Sequence, residues 1–175
     1  MSLKLAAVAG VAALAAISPG AAKDAKPVWR NDTSHLSDDL KEIRSCFISA
    51  VQHTEGIETQ CADLPRSACQ TALGEDAAMT TLGQRQCNWR AIAAWEDILA
   101  EAVAELHTEQ NDEERKAFDE AESAWERFVE ANVRAHAEPF RGGTLTDVVA
   151  GTERARMAAE RALEVRQMLR LRREG

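Results

Sequence analysis

Apolar positions recur at intervals of three and four along most of the chain, and no stretch longer than four residues alternates with period two. After Ser34 or Ser37, either of which can cap a helix, Leu36, Leu40, Ile43, Phe47 and Val51 form one stripe. That stripe predicts a helix to about His53, stopped by Gly56. A shorter helix is expected over about 58–73, entering at Pro65 and ending at Gly74. A third, over about 80–107, carries Trp89, Ile92, Glu96, Leu99, Val103 and Leu106, with Trp95, Ile98 and Ala102 widening the face. After a break and cap at Asn111-Asp112, a fourth over about 112–137 aligns Phe118, Ala121, Trp125, Phe128 and Asn132. Pro139 and Gly142-Gly143 make a loop, and Thr146 or Asp147 is expected to cap a fifth helix to about Arg172. Its inward residues are Val148, Ala155, Ala159, Ala162 and Leu169. The pattern predicts an all-α, single-domain antiparallel helical bundle of about five helices. Residues 34–74 form a Cys-rich hairpin and residues 80–172 a three-helix body.

Composition agrees with helix. Tyrosine is absent and only 4 of the 175 residues are proline, while hydrophobic residues make up 45%, enough for a core. The net charge of −8 argues against non-specific nucleic-acid binding.

Residues 1–22 read as a secretory signal: Lys4, an apolar run over 5–17, a break at Ser18-Pro19-Gly20, and small residues at Gly20 and Ala22 suited to cleavage before Lys23. An uncleaved anchor would need a run nearer the roughly 20 residues of a spanning helix. No cysteine follows the run to carry a lipid. Residues 23–33 lack periodicity and are expected to be a flexible leader. A periplasmic or secreted protein is expected, with no membrane span after cleavage.

In that setting Cys46, Cys61, Cys69 and Cys87 favour two disulfides, because none of their spacings supplies a zinc knuckle. Three pairings are open. A turn near Gly56 that folds Cys46 back toward Cys69 would leave Cys61 for Cys87, and that pairing, Cys46–Cys69 with Cys61–Cys87, is the expectation.

Catalytic signatures are missing: no phosphate-binding or dinucleotide glycine loop, no H-E-x-x-H, no G-x-S-x-G. No catalytic residue, cofactor or metal is expected. His107 and His136, near the ends of successive helices, could meet with Glu109 or Glu138 as metal ligands, but solvated helix-end histidines fit the spacing as well. A hydrolase acting on glycans would need a desolvated carboxylate pair, which abundant acids alone do not supply. Two features bear on binding. Acids crowd from Glu109 to Glu130, either a solvated outer face or a surface that steers a basic partner. The loop after the fourth helix offers Glu138, Phe140, Arg141, Gly142 and Gly143, and Phe140 and Arg141 are of the types enriched as interface anchors. Arg166, Arg170, Arg172 and Arg173 either touch anionic surfaces or complement the final helix end.

Several motifs together resemble the LprI-type lysozyme inhibitors. Thr80-Thr81-x-Gly83, Cys87, Trp95, Glu96 and Leu99 are similar to the first half of that domain. Ala121-Glu122-x-Ala124-Trp125-x-x-Phe128-Val129-Glu130, then Gly142-Gly143-Thr144 and the run from Arg156 to Arg166, are similar to the second. The resemblance covers about residues 46–170 and gives Thr81, Gly83, Trp95, Leu99, Trp125 and Phe128 structural roles. It implies a non-enzymatic exported protein that occludes a lysozyme, a basic partner, and so protects peptidoglycan. The alternative is a periplasmic interaction or scaffold module sharing only the fold. The chain departs from the family at polar positions occupied here by Ala91, Ala100, Val103 and Val129, which bear on whether inhibition is retained. It also departs at a cysteine pair replaced here by Val133 and Thr152.

Overall fold

A computed structural model describes residues 34–51 and 61–175, the side chains of 48–51 excepted. The expected signal segment, the leader, the stop at Gly56 and the start of the second helix lie outside the described residues. Among the described residues the regular structure is helical: α1 (Leu36–Val51), α2 (Leu64–Leu73), α3 (Glu75–Ala78), α4 (Thr81–Glu109), α5 (Asp112–Ala137), a 3-10 turn (Glu138–Phe140) and α6 (Thr146–Glu174). The four-residue α3 had no signal in the apolar spacing.

Local chemistry sets the boundaries. The Thr80 hydroxyl caps α4 by accepting from Gly83 N at 3.0 Å. Asn111 and Glu114 form a reciprocal capping box on α5, with both bonds at 2.9 Å. The expected cap on the last helix is corrected. Thr146 is already helical and its hydroxyl turns back to the Gly143 carbonyl at 2.9 Å, while Asp147 pairs with Arg85 at 3.0 Å.

Successive helices of the body are antiparallel, so α4 and α6, 29 residues each, run parallel. Asn88 Nδ2 donates to the Val148 carbonyl near their starts, and Arg172 Nε donates to the Glu109 carbonyl near their ends. Their seam is alanine: Ala91, Ala94 and Ala102 against Ala155, Ala158, Ala159 and Ala162, all buried. Small side chains at a seam let two helices pack closely. Trp95 fills the space beside the seam, fully buried with Ile43 and Ile98. Its Nε1–H donates to the Ala62 carbonyl at 3.0 Å, and Phe47 tilts against its ring at 5.8 Å. A second cluster of Ala102, Leu106, Phe118, Val165 and Leu169 carries the core to the other end.

The disulfides are Cys46–Cys61 and Cys69–Cys87, which corrects the expected pairing. The reason is the direction of α2. It runs antiparallel along α4, with Ala62 level with Trp95 and Cys69 level with Cys87, so Cys69 faces α4 rather than α1. Cα separations of 5.9 and 5.3 Å suit both bonds.

Gly83 is fixed by close approach. A Cβ there would lie 2.1 Å from the Ala77 carbonyl oxygen, a backbone atom that cannot swing aside. Gly83→Ala should therefore cost about 1–3 kcal/mol of stability, measured by urea unfolding of the oxidised protein. Wild-type stability in that variant would show that the α3–α4 corner is looser than described.

Candidate binding surface

The loop singled out in the sequence is built as an ordered cap on one end of the body. α5 tightens into the Glu138–Phe140 turn, and Arg141 N bonds to the Glu138 carbonyl at 3.1 Å. Gly142 takes φ +80°, a left-handed conformation that side chains disfavour, and Gly143 N closes back on the Phe140 carbonyl at 3.0 Å. The Thr146 hydroxyl then bonds both the Phe140 and Gly143 carbonyls. Arg141 and Glu138 pair with each other at 2.7 Å while both remain solvated, so the pair contributes little and its members are available to other partners. Phe140 is 41% exposed and Leu145 47%. The Arg85–Asp147 pair joins this loop end to the start of α4, where Met79 and Leu82 are also exposed. One end of the body therefore presents four exposed apolar side chains together with the Arg141–Glu138 and Arg85–Asp147 pairs. The sequence pointed to Phe140 and Arg141; it gave no sign of Met79 and Leu82, because only the parallel packing of α4 and α6 brings their two segments to the same end.

The remaining motif residues sort by burial. Thr81 opens α4 and is half-buried, Gly83 and Trp95 are core, and Leu99 packs half-buried against both apolar clusters. Trp125 is half-buried under α6. Phe128 is corrected: at 59% exposure it faces solvent, and Val129 is the buried residue of that turn. Ala121 likewise faces out. Of the four positions that the resemblance singled out as departures, Ala91 and Val129 are buried and Val103 is half-buried. Ala100 alone is exposed.

The crowded acids of α5 divide into two sets. Glu114, Glu122 and Glu130 pair with Arg172, Arg161 and Arg154, and Asp119 sits 3.1 Å from His107. Asp112, Glu113, Glu120 and Glu126 are exposed and, among the described residues, form no salt bridge. The late arginines of α6 fasten the bundle: Arg172 holds Glu114 at 2.7 Å, Arg173 holds Glu105 and Glu109, and Arg166 lies over the Phe47 ring at 5.5 Å. His107 and His136 do not meet. The first lies beside Asp119 and the second 3.8 Å from Glu153, with some 26 Å of helix between those levels of α5. Among the described residues no group of three His, Cys, Asp or Glu side chains is placed to hold a metal ion.

Two buried charges dock α5 onto α6. Arg161 is sandwiched by the Phe118 and Trp125 rings at 5.7 and 5.9 Å, and it bonds Glu122 and Glu164. Burial works against that charge; the bonds to Glu122 and then Glu164 outweigh it, and the guanidinium titrates above its ordinary range. Glu153, also buried, accepts from Arg156 at 2.5 and 3.0 Å and from Asn132 at 2.5 Å. Arg156 holds its carboxyl below the usual glutamate range against the opposing effect of burial.

A sequence model described as lysozyme inhibitor LprI matches residues 72–165, more than half of the chain. The chain belongs to the LprI lysozyme-inhibitor family. The match takes in the Thr80–Gly83 corner, the alanine seam, α5 and the end loop, and it leaves out α1 and the Cys46–Cys61 bond. No curated protein and no solved structure matches the chain. Among the described residues no helix is long and apolar enough to cross a membrane.

Because the Glu153 pKa is lowered in the folded protein, its contribution is present above the unfolded glutamate pKa of about 4.3 and is lost as pH falls through the folded value. Glu153→Gln should lower stability at neutral pH by about 1–3 kcal/mol and flatten the decline below pH ~4.3, read from urea midpoints across pH. An unchanged acid limb would remove Glu153 as its source.

Proposed function

We propose that the protein is an exported, non-enzymatic inhibitor that occludes a lysozyme, using the end surface built around residues 138–144. The observation that carries this reading is the family match together with an ordered, exposed loop at one end of the domain. Phe140 supplies an apolar anchor for the enzyme's substrate cleft. Arg141, released from its solvated pair with Glu138, meets the acidic groups of that cleft, while Glu138 meets basic groups at its rim. Gly142 and Gly143 keep the loop narrow. An acidic chain of net charge −8 complements a basic lysozyme, which speeds encounter at low salt. Export accords with the signal-like residues 1–22 and with two disulfides, which persist in oxidising compartments.

The test is lysis of cell walls by lysozymes of several classes, with the oxidised protein, at two salt concentrations. Inhibition that weakens with salt is expected. The double variant Phe140→Ala/Arg141→Ala should raise the half-inhibitory concentration at least about tenfold, equivalent to roughly 1.4 kcal/mol of binding. Full inhibition by that variant would move the site elsewhere. No inhibition of any class would leave a periplasmic interaction module that shares the fold.

A further inference from the structure

α5 carries a second ordered face that the bundle does not use. Ala117, Ala121, Ala124, Phe128, Ala131 and Ala135 are all exposed, and their spacing of 4, 3, 4, 3 and 4 is that of the a and d positions of a coiled coil. Phe128 stands out of this row at 59% exposure. The inward face of α5 is a different one, made by Phe118, Glu122, Trp125, Val129 and Asn132. Beside the exposed row, at the flanking g positions seven residues apart, stand Glu113, Glu120, Arg127 and Arg134, all exposed. Among the described residues none of these four forms an ion pair, although Arg154, Arg156, Arg161, Arg172 and Arg173 of α6 all do.

The order of those charges selects one partner. In an antiparallel pair of helices the g rows face each other, and layers form between a of one helix and d of the other. Setting Phe128 over Ala117 of a second copy, and Ala121 over Ala124, brings Glu113 opposite Arg134 and Glu120 opposite Arg127. The same register serves the apolar row and the charges at once. It places each large side chain on a small one, and the register of α5 on α6 puts the half-exposed Met168 level with Ala117, beside the incoming ring. In a parallel pairing the g rows face the e positions Phe118, Trp125 and Asn132, already engaged by α6, and the four charges stay unmatched. We propose that the protein self-associates as a two-fold symmetric dimer through antiparallel pairing of α5, with Phe128 as its anchor and Glu113–Arg134 and Glu120–Arg127 as its intersubunit pairs.

Sedimentation velocity of the oxidised protein over a concentration series tests this. The wild type should reach twice the chain mass, and Phe128→Asp should stay monomeric. Glu113→Arg/Glu120→Arg alone and Arg127→Glu/Arg134→Glu alone should each be monomeric, since each sets like charges opposite one another. Mixed in equal amounts, the two charge variants should form a dimer again. All four residues are exposed and, among the described residues, form no ion pair, so the variants are expected to keep the fold, which circular dichroism of each variant checks. A wild type that stays monomeric at every concentration overturns the proposal. So does a dimer indifferent to Phe128→Asp, or charge variants that fail to recombine.

Discussion

Because alanine lines both α4 and α6, these two helices approach closely enough that each remaining element has to be accommodated around them. Bulk is displaced to the flanks of the seam. Trp95 and Ile98 fill one flank together with Ile43 of α1, and Leu106, Val165 and Leu169 close the far end with Phe118 of α5. At the near end even a methyl group is restricted: a Cβ on Gly151 would come within 3.2 Å of the Asn88 side chain, which spans from α4 to the first turn of α6. The parallel direction of this pair requires a full-length return helix between them, and α5 is that return.

α5 is attached by chemistry of another kind. Of its 26 residues only Phe118, Val129 and Ala137 are buried. Arg161 between two rings and Glu153 among Arg156, Asn132 and His136 do the remaining work of docking. Buried charges of this kind are costly unless every partner is in place, so they specify how α5 sits on α6 more than they add net stability.

The difference explains which parts of the structure were legible in the sequence. The inward set of α6, Val148, Ala155, Ala159, Ala162 and Leu169, is buried as its spacing predicts, since an apolar seam leaves an apolar period. On α5 the period misleads in part. Ala121 and Phe128 belong to an outward row, while the inward row contains Glu122, which hydrophobic patterning counts as surface, beside Asn132, which the predicted stripe includes. Asp39 is similar: it is buried and held by Arg90 through two bonds of 2.6 Å, yet an acid in the first turn of a helix reads as a solvated end charge. Disulfide pairing depends on which way α2 runs along α4, a tertiary fact with no local signature. The end loop was legible as a loop from Pro139 and Gly142-Gly143; its apolar neighbours at Met79 and Leu82 were not, because they join it only through packing.

Covalent and ionic reinforcement are thus divided between the two halves of the molecule. Both disulfides tie α1, α2 and α4 together, and closing loops of 15 and 18 residues restricts the unfolded chain there. α5 has no such tie. It is held at its two ends by the turn at Gln110-Asn111 and by the loop, and along its length by Phe118 and Val129, by the buried Arg161 and Glu153 contacts, and by salt bridges that water can reach. Local opening at α5 would break ion pairs and the contacts of Phe118 with Leu106, Val165 and Leu169, yet leave both disulfides intact. A ligand that grips the loop at the end of α5 would act on a long helix that no disulfide reaches, and part of its binding free energy would be spent on holding that helix down.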